Sequence, residues 1–186
     1  MEINSKNVGR IAERIAMNEL EARGFHIIDL AYMSKTTANV DFIASKNGKS
    51  FNVQVKGASN PFGPPRRRWT VGYGQCNEET IEGRSSFFNA KSDFALRADV
   101  IVLIAVNSPS NYCAVVMPVD EAEKAVQLNM TGFFRQPKRD GGKHAPGRMW
   151  SDLEPSPRAR AQNPYKDKER AILRSYQDAW DSLGGL

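Results

Sequence analysis

Residues 39–57 read NVDFIASKNGKSFNVQVKG, and their pattern predicts the hairpin around which the other elements can be placed. Apolar and polar residues alternate along Asn39–Ser45 and again along Ser50–Gly57, and Asn47 and Gly48 lie between the two segments. An Asn-Gly pair between alternating segments indicates a β-hairpin closed by a type I′ turn. The turn also sets the register, because choosing its two residues defines every cross-strand pair.

The register divides the hairpin into an apolar face and a polar face. The apolar face carries three cross-strand pairs: Val40 with Val55, Phe42 with Val53, and Ala44 with Phe51. On the opposite face Asp41 stands across from Gln54, and Lys56 is the diagonal neighbour of Asp41. Cross-strand partners have Cβ atoms about 5 Å apart, and diagonal neighbours lie within about 8 Å. The hairpin is therefore expected to bring a carboxylate, an amide oxygen and an ammonium group to one patch.

These three groups suit metal-assisted hydrolysis of a phosphodiester bond. Mg²⁺ prefers oxygen ligands and retains several waters, so one or two carboxylates and a substrate phosphate suffice to bind it. Asp41 is then the anchoring ligand, Gln54 offers its side-chain oxygen, and Lys56 positions or activates the attacking water. The alternative is a solvated polar strand face on which Asp41 and Lys56 form an exposed ion pair.

A helix is predicted before this hairpin, at Val8–Arg23, because its apolar residues recur on one face with a helical period. Glu13 lies at the rim of that apolar face, where a solvated charge is the alternative to a site residue. A strand is predicted at Phe25–Tyr32. After the hairpin, residues 60–86 contain prolines and glycines without a sustained period, which predicts a long loop.

The rest of the chain predicts further helices and strands around this hairpin. A helix is expected at Phe87–Arg97, strands at Val100–Val106 and Tyr112–Val119, a helix from Asp120 to about Leu128, and a terminal helix at Tyr165–Leu183. We accordingly expect a core domain at 1–129 and a basic appendage with the terminal helix at 130–186, packed on the core.

Positive charge is concentrated towards the end of the chain. Up to Phe134 there are fifteen Lys and Arg against fourteen Asp and Glu, whereas Arg135–Arg174 has eleven against five. Such a surplus indicates a polyanionic partner or a solvated basic tail. The candidate DNA contacts combine cations with an aromatic ring at 66–69 and continue in the basic segment: Arg66, Arg67, Arg68, Trp69, Arg135, Lys138, Arg139 and Lys143.

Composition excludes several other classes of protein. Two cysteines and two histidines in unrelated contexts provide neither a disulfide framework nor the spacing of a zinc site. The sequence has no apolar run of the roughly eighteen residues that a membrane span needs, and its start does not resemble a signal peptide. We therefore expect a cytoplasmic protein that does not enter a membrane.

The pattern of Glu13 on a first helix, then Asn39-Val40-Asp41, then Gln54-Val55-Lys56 resembles the PD-(D/E)xK nuclease superfamily. The first helix is similar to that of archaeal Holliday junction resolvases and YraN-type proteins, and Gln-x-Lys is similar to Mrr-type nucleases. The resemblance implies an α/β restriction-endonuclease-like fold, with an αβββαβ core around a central mixed sheet. Two positions depart from the motif: Val40 replaces a proline and Gln54 replaces an acid.

The resemblance also implies roles for the site residues. Asp41, Gln54 and Glu13 bind Mg²⁺ or Mn²⁺, and Lys56 is catalytic. The function expected is a metal-dependent DNA endonuclease, either restriction-like or selective for branched DNA, with RNA as a less favoured substrate. The alternative is a DNA-binding module that keeps the nuclease fold without cleavage, since Gln54 removes one negative charge from the metal site. A homodimer is compatible with either function.

Overall fold

The computed structural model describes residues 7–31, 39–59, 68–76, 81, 86–89, 96–136, 147–154 and 163–185, with the backbone alone at 68–76 and 147–150. The helices are α1 (Val8–Glu21), α2 (Val119–Arg135) and α3 (Pro164–Ser175), followed by a 3₁₀ helix at Trp180–Gly185. The strands are β1 (His26–Asp29), β2 (Phe42–Lys46), β3 (Lys49–Ser59), β4 (Arg68–Cys76), β5 (Val100–Ser108), β6 (Asn111–Pro118) and β7 (Gly147–Asp152).

Five strands form a mixed central sheet in the order β1-β2-β3-β5-β6. Strands β3 and β5 are parallel, and the other neighbouring pairs of this sheet are antiparallel. Strands β4 and β7 form a separate antiparallel ribbon. The predicted α/β fold class with a central mixed sheet is confirmed.

Strand β5 shows how the sheet is covered on both faces. Val100, Val102 and Ile104 pack in one cluster with residues of α1 and the terminal 3₁₀ helix, while Ile101 and Leu103 pack in a second cluster with residues of α2 and α3. A strand that is apolar on both faces is expected when helices cover a sheet from both sides. Burial on both faces explains why this strand is a continuous apolar run in the sequence.

The hairpin adopts the predicted turn and register. Asn47 and Gly48 have φ angles of 53° and 77°, as the type I′ turn requires. Lys46 pairs with Lys49, and the ladder continues in this register as far as Phe42 and Val53.

Helix α3 is fixed to its neighbours by a buried polar cluster. Glu169 is fully buried; its carboxylate accepts hydrogen bonds from Ser151 Oγ and Asn129 Nδ2, both at 2.6 Å, and lies 3.1 Å from Lys166 Nζ. One residue further, Arg170 binds the Asp152 carboxylate at 2.9 Å. A buried charge is tolerated when it is paired and hydrogen-bonded in this way. The cluster ties β7 to α2 and α3.

Several predicted boundaries differ from the structure. The predicted loop at 60–86 contains β4, whose partner β7 is far away along the chain. The helix predicted at 87–97 is absent from 86–89 and 96–97, and residues 90–95 lie outside the described residues. Helix α2 continues to Arg135.

The predicted terminal helix is interrupted. Helix α3 ends at Ser175, Gln177 forms a bridge to Val115 of β6, and Asp178 has a φ angle of 51°. The interruption allows Gln177 to pair with β6 at the edge of the central sheet before the 3₁₀ helix begins. In the described part of the chain, no helix has both the length and the apolar character to cross a membrane.

Candidate active site

Asp41 is the first residue beyond the regular hairpin ladder. Its backbone N–H donates to the Val53 carbonyl at 2.9 Å, so the predicted backbone pair of Asp41 with Gln54 does not form. Instead, the Val55 N–H donates to Asp41 Oδ2 at 2.6 Å. The Asp41 carboxylate thus accepts the hydrogen bond from β3 that a backbone carbonyl would accept in a regular ladder. Sequence periodicity does not reveal this shift, because it depends on where the ladder ends.

Asp41 is held from both neighbouring strands, through its backbone carbonyl on one side and its carboxylate on the other. The N–H of Leu30, directly after β1, donates to the Asp41 carbonyl at 3.1 Å, and Val55 of β3 binds the carboxylate. Burial raises the pKa of Asp41 above its ordinary value; the Val55 hydrogen bond and the charge of Lys56 oppose the rise, and the charge of Asp29 adds to it. A carboxylate that has lost solvation without a full counter-charge favours binding of a cation.

Gln54 is 5% exposed, and its Oε1 is buried with no hydrogen-bond partner among the described residues. An unsatisfied buried acceptor costs about 1–3 kcal/mol, so its presence calls for an explanation such as a bound ion or water. A cation or an ordered water would satisfy the oxygen. Gln54, on β3, is therefore a candidate oxygen donor, and it lies one residue before Val55, which binds the Asp41 carboxylate.

Glu13 on α1 belongs to the same electrostatic group as Asp41. Partial burial raises the pKa of Glu13, and the charges of Asp41 and Asp29 raise it further, whereas Arg10 and Lys56 lower it. Lys56 thus influences both carboxyl groups. The structure brings Glu13, Asp41 and Lys56 within electrostatic reach of one another although they come from α1, the end of the hairpin and β3.

Two polar residues near this group were not among the predicted site residues. Asp29 ends β1 opposite Phe42, next to Asp41, and its charge raises the pKa of both Glu13 and Asp41. Asn39 is 1% exposed, and its Nδ2 has no hydrogen-bond partner in the described part of the chain. Two sequence features could have identified these residues: Asp29 is an acid at the end of an apolar strand, and Asn39 lies two residues before Asp41.

The chemistry of these side chains suits a hard divalent cation. Asp41 and Glu13 would supply carboxylate oxygens, and Gln54 Oε1, buried with no partner among the described residues, would supply a neutral oxygen of the kind that Mg²⁺ and Mn²⁺ accept. Within the described residues, no three His, Cys, Asp or Glu side chains cluster closely enough to hold a metal ion. The fit therefore depends on two carboxylates and an amide oxygen, and Asp29 is not counted as a ligand.

The predicted DNA-contacting residues fall into three groups. Arg135, at the end of α2, is exposed and donates to Tyr165 Oη at 2.5 Å, with its guanidinium 5.4 Å from the ring centroid. Arg68 and Trp69 lie in β4, opposite Asp152 and Ser151 of β7. The remaining residues lie outside the described part of the chain: Arg66, Arg67, Lys138, Arg139 and Lys143.

Comparison with known proteins adds little to this geometry. No protein-family model matches the chain, and no curated protein matches it. Among solved structures, a bacterial homing endonuclease is similar over 98% of this chain and 92% of its own, with 16% sequence identity and a TM-score of 0.46. A likeness this weak carries no argument about function, which must be inferred from the residues of the site.

Proposed function

We propose that this chain is a metal-dependent DNA endonuclease whose site is formed by Asp41, Gln54, Lys56 and Glu13. The observation that carries the proposal is the environment of Asp41. Its carboxylate is anchored by the Val55 N–H and loses solvation, and the residue before Val55 is Gln54, whose Oε1 is buried with no hydrogen-bond partner among the described residues. A solvated ion pair on a strand face would need neither the buried amide nor the anchored carboxylate.

Each residue has a distinct task in this proposal. Asp41 and Glu13 attract and hold the cation, and Gln54 completes the protein ligands with a neutral oxygen. The bound cation would polarise the scissile phosphate and lower the pKa of a water molecule. Lys56 orients the attacking water and stabilises the negative charge that grows on the phosphate in the transition state.

The anchoring hydrogen bond determines which substitution tests Asp41 cleanly. Asp41→Ala would leave the Val55 N–H without its acceptor, so lost activity could reflect a damaged strand. Asp41→Asn keeps an acceptor oxygen and removes the charge. We expect Asp41→Asn and Lys56→Ala to abolish cleavage while DNA affinity measured in EDTA stays near that of the parent.

The test is incubation of the full chain with supercoiled plasmid, linear duplex, branched DNA and single-stranded RNA, in Mg²⁺, Mn²⁺ or EDTA. Two variants serve as matched controls: Lys49→Ala at the opposite end of β3, and Asp120→Asn at the exposed start of α2. Both should cleave like the parent. Cleavage that persists in EDTA or in Asp41→Asn would contradict the assignment of this site.

A DNA-binding module without cleavage is the second candidate. Gln54 is the residue that favours it, because a neutral ligand in place of an acid weakens the attraction for a cation. DNA binding without cleavage of any substrate in either metal would identify this outcome.

A further inference from the structure

Helix α1 lies unusually close to strand β3 at Gly57. A Cβ atom placed on Gly57 would lie 2.6 Å from Ala12 Cβ and 2.8 Å from the Val8 carbonyl oxygen. Carbon atoms in favourable contact are about 3.5–4.0 Å apart, so a side chain here would have to displace the helix by about 1 Å. The Val8 oxygen belongs to the backbone and cannot rotate away. Gly57 is therefore the residue that permits this helix–strand distance.

The two sides of this contact adjoin two proposed site residues. Ala12 directly precedes Glu13, and Gly57 directly follows Lys56. Ala12 is fully buried, and α1 packs on the sheet face that carries Val53 and Val55. Any movement of α1 away from Gly57 would move Glu13 away from the strand that carries Lys56 and from the end of the hairpin.

We propose that Gly57 is a positioning residue: the absence of a side chain sets the separation of α1 and β3 at which Glu13 shares a site with Asp41 and Lys56. The expected effect on catalysis rests on the proposed nuclease function, whereas the spacing of α1 and β3 at Gly57 does not depend on it. A glycine in the interior of a strand weakens the strand and often marks a close approach of another backbone. Here Gly57 allows the backbone of α1 to approach β3 closely.

The principal test is Gly57→Ala, assayed for cleavage and for DNA affinity in EDTA. A displacement of about 1 Å in a catalytic group can reduce turnover about a hundredfold. We expect a loss of that order with DNA affinity unchanged. Gly9→Ala is the matched control, because Gly9 lies in α1 with no atom within 4 Å of the added Cβ, and it should cleave like the parent.

Two further variants separate positioning from general destabilisation. Ala12→Gly removes the atom at 2.6 Å, so the Gly57→Ala/Ala12→Gly double variant should recover part of the lost activity. In a Glu13→Gln background, Gly57→Ala should cause little additional loss, because both changes remove the same contribution. Independent, multiplicative losses would overturn the proposal.

A readout without cleavage keeps this inference distinct from the proposed function. The Glu13 carboxyl can be titrated by NMR in the parent and in Asp41→Asn, and the difference measures how strongly the two groups interact. That difference should shrink in the Gly57→Ala background, whether or not the protein cleaves DNA. An unchanged difference would overturn the proposal, as would failure of both Gly57→Ala and the double variant to fold, since Gly57 would then be a requirement of the fold.

Discussion

Gln54→Glu provides a direct test of whether the buried amide faces a cation. The change places a carboxylate at a position that is 5% exposed and close in sequence to the strand contact of Asp41. Without metal the new charge is buried, and it loses the solvation that an exposed glutamate would have. A buried polar group without adequate partners costs about 1–3 kcal/mol, and for a chain of this size each kcal/mol lowers Tm by about 2–4 °C.

A divalent cation should reverse this loss. A ligand present at a hundred times its Kd stabilises the folded state by about 2.7 kcal/mol. An additional anionic ligand should also lower the concentration of Mg²⁺ or Mn²⁺ that is needed. We therefore expect Gln54→Glu to unfold several degrees below the parent in EDTA and to show a larger metal-induced rise in Tm than the parent does.

Thermal unfolding by circular dichroism, in EDTA and across a metal titration, measures both effects. Gln127→Glu on the exposed surface of α2 adds the same charge away from the site and should match the parent in both conditions. If Gln54→Glu is as stable as the parent in EDTA and gains nothing extra from metal, Gln54 does not face a cation site, and the reasoning from its unpaired oxygen is refuted.

Asp41, the buried Glu169 cluster and the basic segment provide three further tests. The pKa of Asp41 is higher in the folded state than in the unfolded chain, so the folded state binds more protons between these two pKa values. The free energy of unfolding without metal should therefore fall as pH rises through this window. Urea titrations at several pH values should show a smaller fall in Asp41→Asn. Glu169→Ala should destabilise the protein by about 3–5 kcal/mol in urea unfolding, because it removes the acceptor of buried donors and the counter-charge of a nearby ammonium, while Glu169→Gln should cost less; equal stabilities would show that the cluster contributes nothing. The affinity for duplex DNA should fall with salt concentration, with a log–log slope of about −0.9 per phosphate contact. Reversing the charges of Arg135, Lys138, Arg139 and Lys143 should weaken binding and make this slope shallower. If the reversed variant binds like the parent across a salt titration, the basic segment does not contact DNA.

Local sequence patterns were sufficient for the hairpin and for the elements around it. The Asn47-Gly48 turn requires positive φ angles, and alternation of apolar residues assigns the faces, so the register followed without any distant contact. Strand β5 was recognisable as a continuous apolar run, because both of its faces are buried against other parts of the protein. Strand β4 was not, because it lies among prolines and glycines and pairs with β7 across a long stretch of chain.

The candidate site residues were proposed from the sequence, but their arrangement could not be. Asp41, Gln54 and Lys56 could be placed near one another because they share one hairpin whose turn is local. The hydrogen bond from Val55 to the Asp41 carboxylate depends on where the ladder ends, and the influence of Asp29 and Glu13 on Asp41 depends on how β1 and α1 pack. The approach of α1 to Gly57 depends on the absence of a single Cβ atom between residues that are distant in the chain. Periodicity reports which face of an element is apolar, whereas separations of this kind are determined only when the elements pack in three dimensions.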